Sequence, residues 1–98
     1  MDERRLAGLM GLCVRAGQCI FGEENCLKAL RSGRGGLLLL DGDISEGSAE
    51  KYLSICGREK IPVCRLAPGM IGRATGKPGK AMVILPGSFA ERIPELLT

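Results

Sequence analysis

At 98 residues the chain has the length of one domain with a usable core and a small margin of stability. Its formal charge of +3 permits a nucleic-acid partner without demanding one. One tyrosine, two phenylalanines and no tryptophan disfavour a stacking platform for single strands. Five cysteines with no histidine and no Cys-x-x-Cys argue against both a zinc site and a cysteine–histidine nucleophile, and suit a reducing cytosol.

Charge is unevenly placed along the chain. Cations dominate from Arg4 to Arg34 and again from Arg58 to Lys80, and the stretch from Asp41 to Glu50 carries carboxylates alone. If folding joins the two basic segments, they form a patch. Residues 1–16 end in Arg15 rather than in a small-residue cleavage site, so no signal peptide is read there. Leu37–Leu40 is far too short to span a bilayer. No membrane partner is expected, and the expected location is the cytoplasm.

Residues 2–16 read as a helix. Leu6, Leu9, Met10, Cys13 and Val14 fall on one stripe, and Gly17 closes it. Gly8 and Gly11 weaken its interior and suggest close packing on a neighbour. Cys19-Ile20-Phe21 is a short strand. Residues 23–32 form a second helix between glycines, with Glu23 and Glu24 in its first turn and Lys28 and Arg31 later, an order that suits the helix dipole. Its start, with Asn25 and Lys28 facing outward, is a candidate binding edge.

Leu37–Leu40 is an unbroken apolar run, as in a strand buried on both faces. Asp41-Gly42-Asp43 turns off its end. A third helix then runs from about residue 46 to 57, capped by Asp43 or Ser45 and ended by Gly57, with Ala49, Tyr52, Leu53 and Cys56 as its stripe. Ile61–Leu66 is the next strand. Met70–Thr75 is a single helical turn closed by Gly76, and Lys77-Pro78-Gly79-Lys80 is a basic turn. Ala81–Leu85 is the last strand. Ser88 caps a final helix that Pro94 should kink or shorten. Alternating helices and strands predict an α/β fold with helices on both faces of a sheet.

Catalytic constellations are scarce. Asp41 and Asp43 have no histidine or metal partner and read as turn and cap residues. Cys13, Cys56 and Cys64 read as small core hydrophobes. Gly76-Lys77 lacks the first glycine and the following hydroxyl of a phosphate loop. No cofactor, metal or catalytic residue is expected. What remains is a surface built from strand-to-helix loops: the start of the second helix, the Asp41–Ser45 turn and the 67–77 loop. These bring Asn25, Lys28, Arg73 and Lys77, which suit phosphate and sugar edges.

The order Arg15-Ala16-Gly17, Gly22-Glu23-Glu24, Lys28-Ala29-Leu30-Arg31-Ser32-Gly33, Leu37–Leu40 with Asp43, Ile61-Pro62-Val63 and Ile71-Gly72-Arg73-Ala74-Thr75-Gly76-Lys77 spans nearly the whole chain. It resembles the kink-turn RNA-binding ribosomal proteins of the archaeal L-seven-Ae type, with their L-thirty-e and Gadd-like branches, and within them the small bacterial YlxQ-like members. The resemblance implies a three-layer α/β/α sandwich with a four-stranded mixed sheet. It also implies a non-enzymatic role, binding a sharply bent RNA internal loop as a ribosome-associated or ribosomal-protein-like factor, as a monomer. By position Gly22 is the motif glycine that lets the backbone approach RNA, and Lys28 the motif lysine that contacts a phosphate or base edge. Glu24, Asn25, Arg31, Asp43, Ile71, Gly72, Arg73 and Lys77 complete the implied contact set. The loop before the Gly-x-Ala segment is implied to pack on an extruded base.

The sequence departs from the family at this edge. The characteristic Asn-Glu pair is interchanged as Glu24-Asn25, and Phe21 stands where a cation is common. Glu23 and Glu24 put negative charge where phosphates would approach. Two other readings therefore stand beside RNA binding: a protein-interaction module that keeps the fold without RNA recognition, and a small cysteine-dependent enzyme or phosphocarrier using Cys13 or Cys19.

Overall fold

The computed structural model describes residues 2–97. In chain order its elements are α1 (Glu3–Arg15), β1 (Cys19–Ile20), α2 (Glu23–Arg31), β2 (Leu37–Leu40), α3 (Glu46–Glu59), β3 (Val63–Arg65), α4 (Met70–Thr75), β4 (Ala81–Ile84) and α5 (Ser88–Glu95). The strands form one mixed sheet in the order β1-β4-β2-β3. β2 runs parallel to β3, and β4 runs antiparallel to both β1 and β2.

The two central strands explain the layers. All four leucines of β2 and all four residues of β4 are buried. Neighbouring strand side chains point to opposite faces. Leu38 and Leu40 with Ala81 and Val83 therefore join the apolar cluster under α2 and α3. Leu37 and Leu39 with Met82 and Ile84 join the cluster under α1, α4 and α5. Truncating one such leucine to alanine is worth about 2–5 kcal/mol. The edge strands are short, two residues in β1 and three in β3.

The predicted element order holds, with local corrections. α3 does not end at Gly57; it runs on to Glu59 and stops at Lys60 in the left-handed region (φ 59°). A helical glycine weakens a helix without terminating it. The true stop is Pro62, which pushes the preceding Ile61 out of helical geometry. The α3 stripe buries Ile55 in place of Leu53, which is 38% exposed. Ser45, not Asp43, caps α3, its hydroxyl accepting the N–H of Ser48 at 3.2 Å. Ser88 is the first residue of α5 rather than its cap, a position taken by Gly87. α5 stops one residue past Pro94, and bonds from Leu96 N–H to Ile93 and from Leu97 N–H to Pro94 close its last turn. At Gly11 an added Cβ would make ordinary contact with the Ala74 carbonyl at 3.7 Å, and at Gly8 it would meet nothing within 4 Å, so neither glycine is forced by packing.

Cysteine supplies core volume rather than chemistry. Cys13, Cys26 and Cys56 are buried, and Cys19 and Cys64 are half-buried. Burial pushes the Cys13 thiol up to about 12 and the Cys26 thiol up to about 11. Burial raises Cys19, Cys56 and Cys64 as well. The reactive form is the thiolate, so no thiol here is poised as a nucleophile at neutral pH.

Asp41 is the one charged residue that is buried among those described, at 1% exposed. It follows β2 and accepts three backbone N–H groups: Gly69 at 2.8 Å, Asp43 at 3.2 Å and Ile71 at 3.3 Å. Burial alone would raise its carboxyl, but these donors, with the Asp43 side chain, outweigh burial and hold it at about 2. The carboxylate thus stitches the end of β2 to the start of α4.

Two outcomes follow. A depressed carboxyl contributes stability that is complete above its unfolded value of about 3.9 and lost as pH falls through the folded value. Urea unfolding should therefore show a loss of about 2 kcal/mol between roughly pH 4 and pH 2, and Asp41→Asn should lose a similar amount at neutral pH and flatten that acid limb. Maleimide labelling followed by mass spectrometry should find native thiols slow at neutral pH and all five fast once the chain is unfolded in urea.

Candidate functional site

The strand registers bring the predicted loops to one end of the sheet. Ile20 pairs with Val83, Leu40 with Ala81, and Leu40 with Arg65. The ends of β1, β2 and β3 and the start of β4 therefore lie together. The start of α2, the Asp41–Ser45 turn, the start of α4 and the turn before β4 follow from those strand ends.

At the start of α2 the chain passes through Gly22 at φ 92° and ψ 133°. That backbone is strained for any residue with a side chain. A Cβ there would also stand 3.4 Å from Asn25 Nδ2. Gly22 supplies no side-chain cap, so the first-turn N–H groups are not claimed by a side-chain oxygen. Asn25 Nδ2 donates to the Phe21 carbonyl at 3.4 Å, and its Oδ1 accepts no hydrogen bond among the described residues. Glu24, Asn25 and Lys28 are all exposed, and their spacing places them on one face of α2. The opposite face buries Cys26, Leu27, Ala29 and Leu30, with Cys26 Sγ donating to the Ile20 carbonyl at 3.2 Å.

Between the start of α2, the Asp41–Ser45 turn and the turn before β4 lies a groove of about 470 Å³, which the predicted 67–77 loop does not line. Gly22 and Glu23 form one wall, Asp43, Ile44 and Ser45 the second, and Pro78, Gly79 and Lys80 the third. Ser48 and Tyr52 of α3 complete its lining. Two of its carboxylates are paired with cations: Glu23 with Lys51 at 3.5 Å and Asp43 with Lys80 at 2.9 Å. The Asp43 bond raises the Lys80 ammonium, which keeps its charge. Tyr52 is 3% exposed, and burial, with charges nearby that include the Glu23 carboxylate, pushes its phenol up to about 12. It stays a neutral hydroxyl. The groove thus offers apolar surface, a few hydroxyls and balanced charge, which suits a flat polar ring better than a free phosphate.

The sequence-predicted residues divide. Gly22 and Asp43 line the groove, and Glu24, Asn25 and Lys28 flank it on α2. Lys77 is exposed immediately before the third wall. Gly72 and Arg73 are exposed on α4 beside α1, where Arg73 donates to the Pro68 carbonyl at 3.0 Å and lies 3.8 Å from Glu3. Ile71 is not brought to the groove: its side chain is 0% exposed inside the α1/α4/α5 cluster, and its N–H is bound to Asp41. Arg31 lies in the last turn of α2, at the far end from Gly22 and outside the lining of the groove.

Sequence reasoning missed Lys80, Ser48 and Tyr52 as site residues. Ser48 and Tyr52 had local explanations in a helix start and an apolar stripe. The Asp43–Lys80 pair spans 37 residues, and no local pattern announces it.

Comparison with known proteins agrees with this architecture. Residues 4–89 match the model of the Ribosomal protein L7Ae/L30e/S12e/Gadd45 family. A Bacillus subtilis (strain 168) relative named RNA-binding protein YlxQ is 32% identical over 91 residues, covering 91% of each chain. A protein of the same name from Enterococcus faecium is 28% identical, covering 98% of this chain and 94% of its own. Among solved structures, a protein with unknown function from Bacillus halodurans C superposes with a TM-score of 0.87 at 32% identity, covering 94% of this chain and 95% of that one. The Giardia lamblia 15.5kD RNA binding protein shares the fold, with a TM-score of 0.71 at 16% identity over 94% of this chain and 80% of that one. The chain belongs to the L7Ae/L30e/S12e/Gadd45 ribosomal protein family.

Proposed function

We propose that residues 1–98 are one non-catalytic RNA-binding domain whose target is a sharply bent internal loop of the kink-turn kind. The observation that carries this reading is the convergence of three loops on one groove beside the α2 start, where Gly22, Asn25 and Lys28 stand together. Family membership and the names of the YlxQ relatives support it. In this reading the Gly22 backbone lets the RNA approach closely, Asn25 Oδ1 accepts from a base edge, and Lys28 meets a phosphate. The groove takes a base turned out of the stack, held by Tyr52 and the serine hydroxyls. Gly72, Arg73 and Lys77 support the flank. The partner is rRNA or another structured RNA, and the protein acts as a monomeric, ribosome-associated factor in the cytoplasm.

Ion pairing weakens the objection raised by the acidic α2 start. Lys51 meets Glu23 and Lys80 meets Asp43, leaving Glu24 as the carboxylate of that edge without an ion pair among the described residues. Lys28 and Lys77 make no ion pair there either, so both remain available to phosphate.

Titration of a kink-turn hairpin and a straight duplex at two salt concentrations tests the reading. The hairpin should bind more tightly, and Lys28→Ala should weaken it and flatten the log–log salt slope by about 0.9, one phosphate contact. Equal affinity for both RNAs would overturn kink-turn recognition. Gly22→Ala should lower hairpin affinity and cost about 1–3 kcal/mol in urea unfolding, because its backbone conformation excludes a side chain.

A further inference from the structure

The net positive charge is not concentrated at the groove. Carboxylates and cations are mixed there, and the Glu23 and Asp43 charges are cancelled by neighbours. The opposite end of the sheet is different. The α2–β2 and α3–β3 connections carry Arg31, Arg34, Arg58 and Lys60, with Glu59 as their one carboxylate among the described residues. All four cations are exposed. Arg58 lies 3.7 Å from Glu59, and the other three make no ion pair among the described residues.

Packing makes these residues one cluster. A Cβ on Gly35 would stand 3.4 Å from Ile61 Cδ1, so the two connections touch. Arg34 and Lys60 each adjoin that contact. The Leu38 N–H donates to the Pro62 carbonyl at 3.0 Å and fixes the same pair of segments. Arg31 and Arg58 end the helices that lead into it.

Lys60 adds an independent observation. It is the one non-glycine residue at positive φ among those described, at 59°. Helix ends of this shape favour glycine, because a side chain in the left-handed region costs about 1–2 kcal/mol. The chain keeps a lysine at that position. Arg31 lies about 13 Å along the helix from Gly22 at 1.5 Å per residue. Gly22 is thus farther from Arg31 than the screening length of about 8 Å at physiological salt, although Lys28 stands one turn from Arg31 on the same face. Arg34 and Lys60 lie past the ends of α2 and α3.

We propose that this basic end is a second RNA surface, which takes the phosphate backbone of a helical stem while the groove takes a bent loop. One copy of the chain then bridges two RNA segments. The inference rests on RNA being the partner.

The test uses the full chain with a straight RNA duplex and a kink-turn hairpin as probes. Wild-type protein should bind the duplex in a salt-sensitive way. The triple variant Arg31→Gln/Arg34→Gln/Lys60→Gln should lose about 0.9 of salt slope for each cation removed. It should keep its preference for the hairpin. Lys28→Ala should weaken duplex binding less than the triple variant does. Arg31→Lys/Arg34→Lys, which conserves charge, should bind the duplex as wild type does, and a thermal melt confirms that each variant folds. Protein carrying one equivalent of hairpin should still retain labelled duplex. The proposal is overturned if wild type ignores the duplex at low salt, if the triple variant binds it with unchanged affinity and slope, if the lysine variant loses it, or if one equivalent of hairpin abolishes duplex binding. Loss of hairpin preference with duplex binding intact would instead remove the groove reading and leave this one standing.

Discussion

A buried carboxylate holds the functional end of this molecule together. Asp41 is removed from water yet stays ionised, because backbone N–H groups replace its hydration. Two of those donors, Gly69 and Ile71, stand at the N-cap and in the first turn of α4. The third, Asp43, belongs to its own turn. The same atoms that satisfy one charge therefore fix the spacing between two loops. The turn that Asp41 holds carries Asp43, whose carboxylate meets Lys80 and so links the second wall of the groove to the third. An uncharged side chain of the same size would bind fewer N–H groups and let the two loops drift apart.

Much of the fold is legible in the sequence because its signals are local. Continuous apolar runs mark β2 and β4, and a period near 3.6 marks α1. Glycines mark several turns. The failures have a common origin in competition between local signals. Gly57 looks like a helix stop, but Pro62 sets the boundary. Leu53 and Ile55 both fit an α3 stripe, and contact with α2 decides which one is buried. The antiparallel pairing of β1 with β4, across most of the chain, leaves no trace in either segment.

The candidate site was legible on α2 and much less so elsewhere. Gly22, Asn25 and Lys28 lie within one and a half turns, so periodicity alone puts them together. Asp41 and Gly69 are 28 residues apart, and a turn aspartate gives no sign that its carboxylate is committed to a distant helix. Ile71 shows the reverse problem. A residue inside a family motif can be there to fill the core under the motif. Arg31 continues the face that begins at Glu24, and the length of α2 alone carries it out of the site.

The short edge strands have a consequence for how this chain meets others. With two residues in β1 and three in β3, neither border offers a run of free backbone groups long enough to accept an added strand. Edge-to-edge stacking of copies and capture of an extended peptide by β-augmentation are both frustrated. The two strands apolar enough to aggregate lie in the middle, covered on both faces. What binds this chain is thereby left to its helix faces and to the loops at the sheet ends rather than to a strand ladder.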